Sequence, residues 1–89
     1  MNFRDAIIEA LPEYKRVLTK YTSAEEAEAL TTSLEISIKN PELTREDIQG
    51  SFGAALLNTA MIHKMNPITS ARMMQELAHA RAEAEKALK

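Results

Sequence analysis

Histidine is the side chain from which metal or acid–base chemistry would most readily start, and this chain has two, His63 and His79. They fall on different predicted helices, and neither belongs to an H-x-x-x-H or H-E-x-x-H spacing, so one helix cannot present two imidazoles to a metal ion. Cysteine is absent, which excludes a thiolate metal site. The sequence therefore predicts no metal ligands. We interpret His63 as a residue that lies near the C-terminal end of its helix dipole, with a ligand or acid–base role for either histidine as the alternative.

Motifs for phosphate binding and for nucleophilic catalysis are also missing. Gly50 and Gly53 are the only glycines, and no G-K-[ST] follows them. The serines and threonines stand at predicted helix starts or in the run Thr31–Ser33, without a neighbouring base to activate them. We predict no catalytic residue, no cofactor and no enzymatic activity.

Length and composition narrow the class of protein further. A chain of 89 residues suits one helical domain over residues 1–89 with a modest core. A net charge of -2 with 27% charged residues lacks the basic excess of most nucleic-acid-binding proteins. The apolar runs are far shorter than the ~20 residues that span a bilayer, and the N-terminus does not resemble a signal peptide. We expect a soluble, cytoplasmic protein that does not bind membranes.

Helix start signals divide the chain into four segments: we predict N-caps at Asn2 and Asn66 and capping boxes at Ser23–Glu26 and Thr44–Asp47. Apolar residues recur at three- and four-residue spacing in each, which predicts a compact all-α bundle with helices at roughly 3–20, 24–39, 45–65 and 67–88. Pro12 predicts a kink in the first helix, or two short helices that share one apolar face.

The third predicted helix has apolar residues on two sides. One face contains Ile48, Phe52 and Leu56, and a second contains Leu57 and Met61. Two apolar faces predict two sets of neighbours, so we expect this helix to be central in the bundle. For Gly50 and Gly53 we expect close approach of a crossing helix, with a contact face for a partner as the alternative.

Methionines and cations gather around the break between the third and fourth helices. Methionine is adaptable and frequent at binding surfaces, although it also fills irregular cores. We predict a partner-binding surface here, formed by Met61, Lys64, Met65, Arg72, Met73 and Met74.

A second candidate surface is a small basic cluster near the start of the chain, formed by Arg4, Lys15, Arg16 and Lys20. As a functional patch it would contact the phosphates of a nucleic acid. The alternative is a solvated helix face whose cations lie near the C-terminal end of the helix dipole.

Five short sequence motifs follow one another along the chain: ALP at Ala10–Pro12, SAEE at Ser23–Glu26, KNPEL at Lys39–Leu43, SFGAALLNTA at Ser51–Ala60 and MNP at Met65–Pro67. In this order they resemble the N-terminal helical portion of RecT-type phage single-strand annealing proteins. The resemblance covers about two thirds of the chain and implies a phage or mobile-element origin. After Pro67 the chain continues as an alanine-rich helix, so the strands and basic groove that annealing requires are not in this sequence.

Four candidate functions remain. We favour a small non-enzymatic protein-interaction module, such as an adaptor, inhibitor or immunity-type factor, that binds a protein partner of unknown identity. The alternatives are a nucleic-acid-binding or DNA-recombination accessory module, and a helical homo-oligomer with a structural role. A small enzyme is the least favoured, because a four-helix domain of this size has little room for a cleft.

Overall fold

The computed structural model describes residues 2–87, and every regular element in that part of the chain is an α-helix. The helices are α1 (Phe3–Tyr21), α2 (Ala24–Lys39), α3 (Arg45–Ile62) and α4 (Pro67–Ala87). The predicted all-α class and the four-helix organisation are confirmed. The predicted last residue of the fourth helix, Leu88, lies outside the described residues.

Side-chain caps start the helices where the sequence predicted them. Asn2 accepts a hydrogen bond from the Asp5 amide at 3.0 Å, and Asn66 accepts one from the Thr69 amide at 2.8 Å. Thr44 and Asp47 form a complete reciprocal capping box. These side chains satisfy amides that have no partner inside the helix, which fixes each helix start.

The capping box predicted at Ser23 and Glu26 is only half present. The Ser23 hydroxyl accepts from the Glu26 amide at 3.1 Å, but the Glu26 carboxylate accepts a hydrogen bond from the Thr59 hydroxyl of α3 at 3.2 Å. A tertiary contact between α2 and α3 has replaced the local one.

Helix α3 ends at Ile62, before the predicted end at residue 65. Lys64 has a positive φ of 53°, and the Met65 amide donates to the Ala60 carbonyl at 2.9 Å. A left-handed residue, followed by an amide that donates to the carbonyl five residues earlier, is a common way to end a helix. Pro12, in contrast, lies inside one continuous α1, so the alternative of two short helices is wrong.

The prediction that the third helix is central is also wrong, because α1 occupies that place. Helix α1 packs against both α2 and α4, whereas α3 packs mainly against α2. A broad face of α1 is buried, formed by Ala6, Ile7, Ala10, Tyr14, Val17 and Leu18. On α3 the face with Ile48 and Leu56 is buried, but the second apolar face has no neighbour among the described residues. Periodicity identified both faces but could not show that only one is covered within the chain.

Arg4 joins the start of α1 to the connection between α2 and α3. Its guanidinium donates hydrogen bonds to the carbonyls of Ile38 and Leu43, and to that of Asn40 at 3.1 Å. These acceptors include the C-terminal end of α2, where the helix dipole favours a cation. Planar Arg can satisfy several carbonyls at once, which Lys cannot do with the same geometry.

We expect Arg4→Met to lower the free energy of unfolding by about 1.5–3 kcal/mol, because partly buried carbonyls lose a charged donor. Urea denaturation followed by circular dichroism measures the change. Arg72→Met is the matched control, since Arg72 is exposed, and should change stability by less than about 0.5 kcal/mol. Equal losses in the two variants would contradict the bridging role of Arg4.

Gly50 and Gly53 do not serve the internal packing that the sequence predicted. A Cβ atom added at either residue would meet nothing within 4 Å, and neither glycine has a positive φ. Neither a crossing helix nor an unusual backbone conformation in residues 2–87 therefore requires glycine at these positions.

Each of Gly50→Ala and Gly53→Ala should raise the free energy of unfolding by about 0.5–1 kcal/mol, because alanine restricts the unfolded chain and favours the helix. Thermal unfolding at low micromolar protein concentration tests this in the monomer. A loss of stability in either variant would show that the glycine has an internal role.

Candidate protein-interaction surface

The predicted methionine-rich surface separates into core and exposed residues. Met73 is completely buried, so it belongs to the core. Met65 and Met74 are partly buried and pack against that core. Lys64, Arg72 and Met61 are exposed, Met61 at 77%. Of the methionines in the predicted surface, Met61 is thus the one with most of its area available to a partner.

Met61 is part of a longer apolar surface on α3. Residues that follow each other at four-, three- and four-residue steps lie on the side of the helix opposite its buried face. We call them the outer face of α3: Gly50, Ala54, Leu57 and Met61. Leu57 is 58% exposed, and Gly50 and Ala54 are exposed as well. An exposed helix face normally contains charged residues, yet the run from Ile48 to Ile62 has none.

Two further apolar residues are exposed near the connection between α3 and α4. Ile62 is 64% exposed and Ile68 is 67% exposed. Sequence reasoning did not single out Leu57, Ile62 or Ile68 as site residues. The signal that could have found Leu57 and Ile62 is the uncharged run of α3, which is longer than one buried face requires. Single exposed apolar residues are ordinary, but a group of them rimmed by polar residues is typical of an interaction site.

The predicted basic patch has little free charge. Lys15 forms a salt bridge with Glu28 of α2, and Arg16 forms one with Glu13. These cations lower the pKa of the Glu28 and Glu13 carboxyl groups through hydrogen bonds.

Arg4 and Lys20, the other two members of the patch, are also engaged within the protein. Arg4 binds backbone carbonyls, as described above, and the Lys20 Nζ atom lies 2.7 Å from Glu76 Oε1. A phosphate backbone would have to compete with carboxylates for most of these cations.

Lys20, Tyr21 and Glu76 together link α1 to α4. The Tyr21 hydroxyl donates to the second Glu76 oxygen, and the Lys20 Nζ atom lies 5.0 Å from the centre of the Tyr21 ring. The hydrogen bonds from Lys20 and Tyr21 hold the pKa of Glu76 below its usual value, and the bond to Glu76 raises the pKa of Tyr21. The ionised carboxylate is therefore the form that fits this site.

A groove of about 760 Å³ runs along the same pair of helices. Small residues such as Ala10, Ala80 and Ala84 line it, and charged side chains surround it. Ion pairs within the chain, such as that of Lys20 with Glu76, take up part of this rim. The groove therefore combines an apolar floor with a charged rim that is partly neutralised by its own ion pairs.

The two histidines are not brought together as a site. His63 is the exposed C-cap residue of α3, and His79 is exposed in the middle of α4. No cluster of three His, Asp or Glu side chains suited to a metal ion occurs in residues 2–87. Among the helices described, none is both long and apolar enough to cross a membrane.

No family model, curated protein or solved structure matches this chain. The resemblance to RecT-type proteins stays a prediction. The outer face of α3 is therefore a candidate interaction surface on its physical properties alone.

We expect Glu76→Gln to destabilise the protein at pH 7, because glutamine keeps a hydrogen-bond acceptor for Tyr21 but loses the ion pair with Lys20. A carboxyl group whose pKa is lowered by folding contributes stability above its unfolded pKa and loses it as the pH falls through the folded pKa. The difference in melting temperature between wild type and variant should therefore shrink as the pH falls through the lowered pKa of Glu76.

The other carboxylates are the same in both proteins, so their contributions to the pH dependence of stability cancel in that difference. Glu42→Gln is a suitable control, since Glu42 is exposed in the connection between α2 and α3 and forms no ion pair within residues 2–87. A Glu76→Gln difference that is equally large at low and neutral pH would contradict the assignment to the ion pair.

Proposed function

We propose that the protein is a small non-enzymatic interaction module that binds a protein partner through the outer face of α3. The observation that carries the proposal is the exposed, uncharged outer face of α3, within the run from Ile48 to Ile62, where Leu57 and Met61 are its large apolar residues. A soluble monomer gains nothing in stability from such a face. A partner that buried it would gain roughly 25 cal/mol for each Å² of apolar surface removed from water.

The surface has the layout of a binding site with an apolar centre and a polar rim. Asn58 lies beside Leu57 and Met61, Gln49 and Ser51 lie beside Gly50, and charged residues appear only at the two ends of the helix. Charged residues are depleted from the centres of protein interfaces, and methionine is enriched there. Lys64, from the predicted set, would contact the partner at the rim, whereas Arg72 lines the groove between α1 and α4.

A nucleic-acid function has less support, because Lys15, Arg16 and Lys20 are paired with carboxylates. Origin from a phage or mobile element stays part of the proposal, on the resemblance alone. An adaptor, inhibitor or immunity-type factor would each use such a face in the same physical way.

The double variant Leu57→Gln/Met61→Gln should reduce the amount of co-purifying partner at least about tenfold, because two apolar contacts of about 1 kcal/mol or more are lost. Quantitative mass spectrometry of tagged protein recovered from the native host measures the loss. Ile36→Gln is the matched control, because Ile36 is 66% exposed but lies on α2. Both variants should keep the helical content and stability of wild type.

Charge reversal at Lys64 should weaken capture as well, to a smaller extent, since rim charges contribute less than buried apolar contacts. The proposal fails if wild type associates neither with another protein nor with a second copy of itself, or if Ile36→Gln loses as much partner as the double variant.

A further inference from the structure

The outer face of α3 is not uniform along its length. Gly50 and Ala54, the small residues, occupy its first half, and Leu57 and Met61, the large residues, occupy its second half. Both halves are exposed, and nothing in residues 2–87 lies within 4 Å of a Cβ position at Gly50. This gradient from small to large is a shape that another helix can complement.

A second copy of the same helix complements it when the two run antiparallel. With a two-fold axis between Ala54 and Leu57, Gly50 lies opposite the other copy's Met61, and Ala54 lies opposite its Leu57. Each large side chain then meets a small residue, which allows close packing of the two helices. A parallel pair would place large residues against large and small against small, and would leave a gap at the glycines.

The charges at the ends of α3 fit the same arrangement. Glu46 is in the acidic first turn, Lys64 follows the last turn, and both are exposed. Neither takes part in an ion pair in the described part of the chain. Antiparallel pairing brings Glu46 of one copy to the end where the other copy has Lys64, twice by symmetry. It also aligns the two helix dipoles favourably.

We propose that the partner bound by the outer face of α3 is a second copy of this chain, in an antiparallel α3–α3 dimer with two-fold symmetry. This inference rests on the proposed function and makes it more specific. It also gives Gly50 a role that the isolated chain does not, since a side chain there would collide with Met61 of the other copy. One helix face and its corner form a small interface, so association is weak and depends on concentration.

The absence of cysteine permits a direct test of register by single-cysteine cross-linking under mild oxidation. In the antiparallel register, Ala54→Cys lies about 4.5 Å along the axis from its counterpart, within disulfide reach. Met61→Cys lies about 16 Å from its counterpart and should not cross-link to itself. A mixture of Gly50→Cys and Met61→Cys should give the mixed dimer, because these residues face each other.

Sedimentation equilibrium from about 10 µM to about 1 mM measures the dissociation constant, over the range expected for a small interface. Glu46→Lys and Lys64→Glu should each weaken dimerisation about tenfold, because each places like charges together at both ends. The double variant Glu46→Lys/Lys64→Glu restores opposite charges and should recover most of the wild-type affinity. A change in monomer stability alone would not produce this recovery.

Cross-linking of each variant with itself but not in the mixture would indicate a parallel pair and overturn the proposed geometry. A chain that stays monomeric at about 1 mM overturns self-association altogether. In that case, capture of a different protein by wild type but not by Leu57→Gln/Met61→Gln would leave the proposed function standing. If wild type neither self-associates nor captures another protein, both the dimer and the proposed interaction function are wrong.

Discussion

The packing of α1 between α2 and α4 is the constraint on which the rest of the structure depends. Helix α1 contacts both neighbours through a broad buried face that combines the small residues Ala6 and Ala10 with larger ones such as Ile7 and Leu18. On the side of α4 the buried residues become smaller along the helix, from Met73 and Leu77 to Ala80 and Ala84. Small residues allow two helices to approach closely. With α2 and α4 both packed against α1, α3 has a peripheral position.

That peripheral position explains why α3 has one covered and one open face. Its covered face packs against α2, and Phe52 also stacks on Tyr14 of α1 with 5.8 Å between ring centres. In a domain with a different helix order, the second apolar face would be covered by a neighbouring helix. Here that neighbour is missing from the described chain, and the same residues that would have enlarged the core become a surface with no charge.

The fold was largely predictable from the sequence because its strongest signals are local. Caps such as Asn2, Thr44 and Asn66 act on amides a few residues away, so a sequence pattern is enough to locate them. Helix order was not predictable, because periodicity shows how many faces a helix can bury but not which faces find a neighbour. For the same reason the sequence could not show that Glu26 accepts a hydrogen bond from Thr59 of α3 instead of capping its own helix. Nor could it show that Met73 is buried and Met61 exposed, because burial depends on tertiary neighbours. Whether a cation is free also depends on a distant residue, as Lys20 and Glu76 show.

The candidate site follows from the same difference between local and tertiary information. The sequence identified Leu57 and Met61 as a second apolar face of α3. Such a face can bind a partner only if no other helix of the domain covers it. Because α3 is helical, its interior amides and carbonyls are already paired with each other. The face can therefore offer a partner only side-chain contact and shape, not the backbone hydrogen bonds that an exposed strand edge provides. Recognition would depend on the order of small and large residues along the helix, which is why Gly50 matters as much to this surface as Leu57 or Met61.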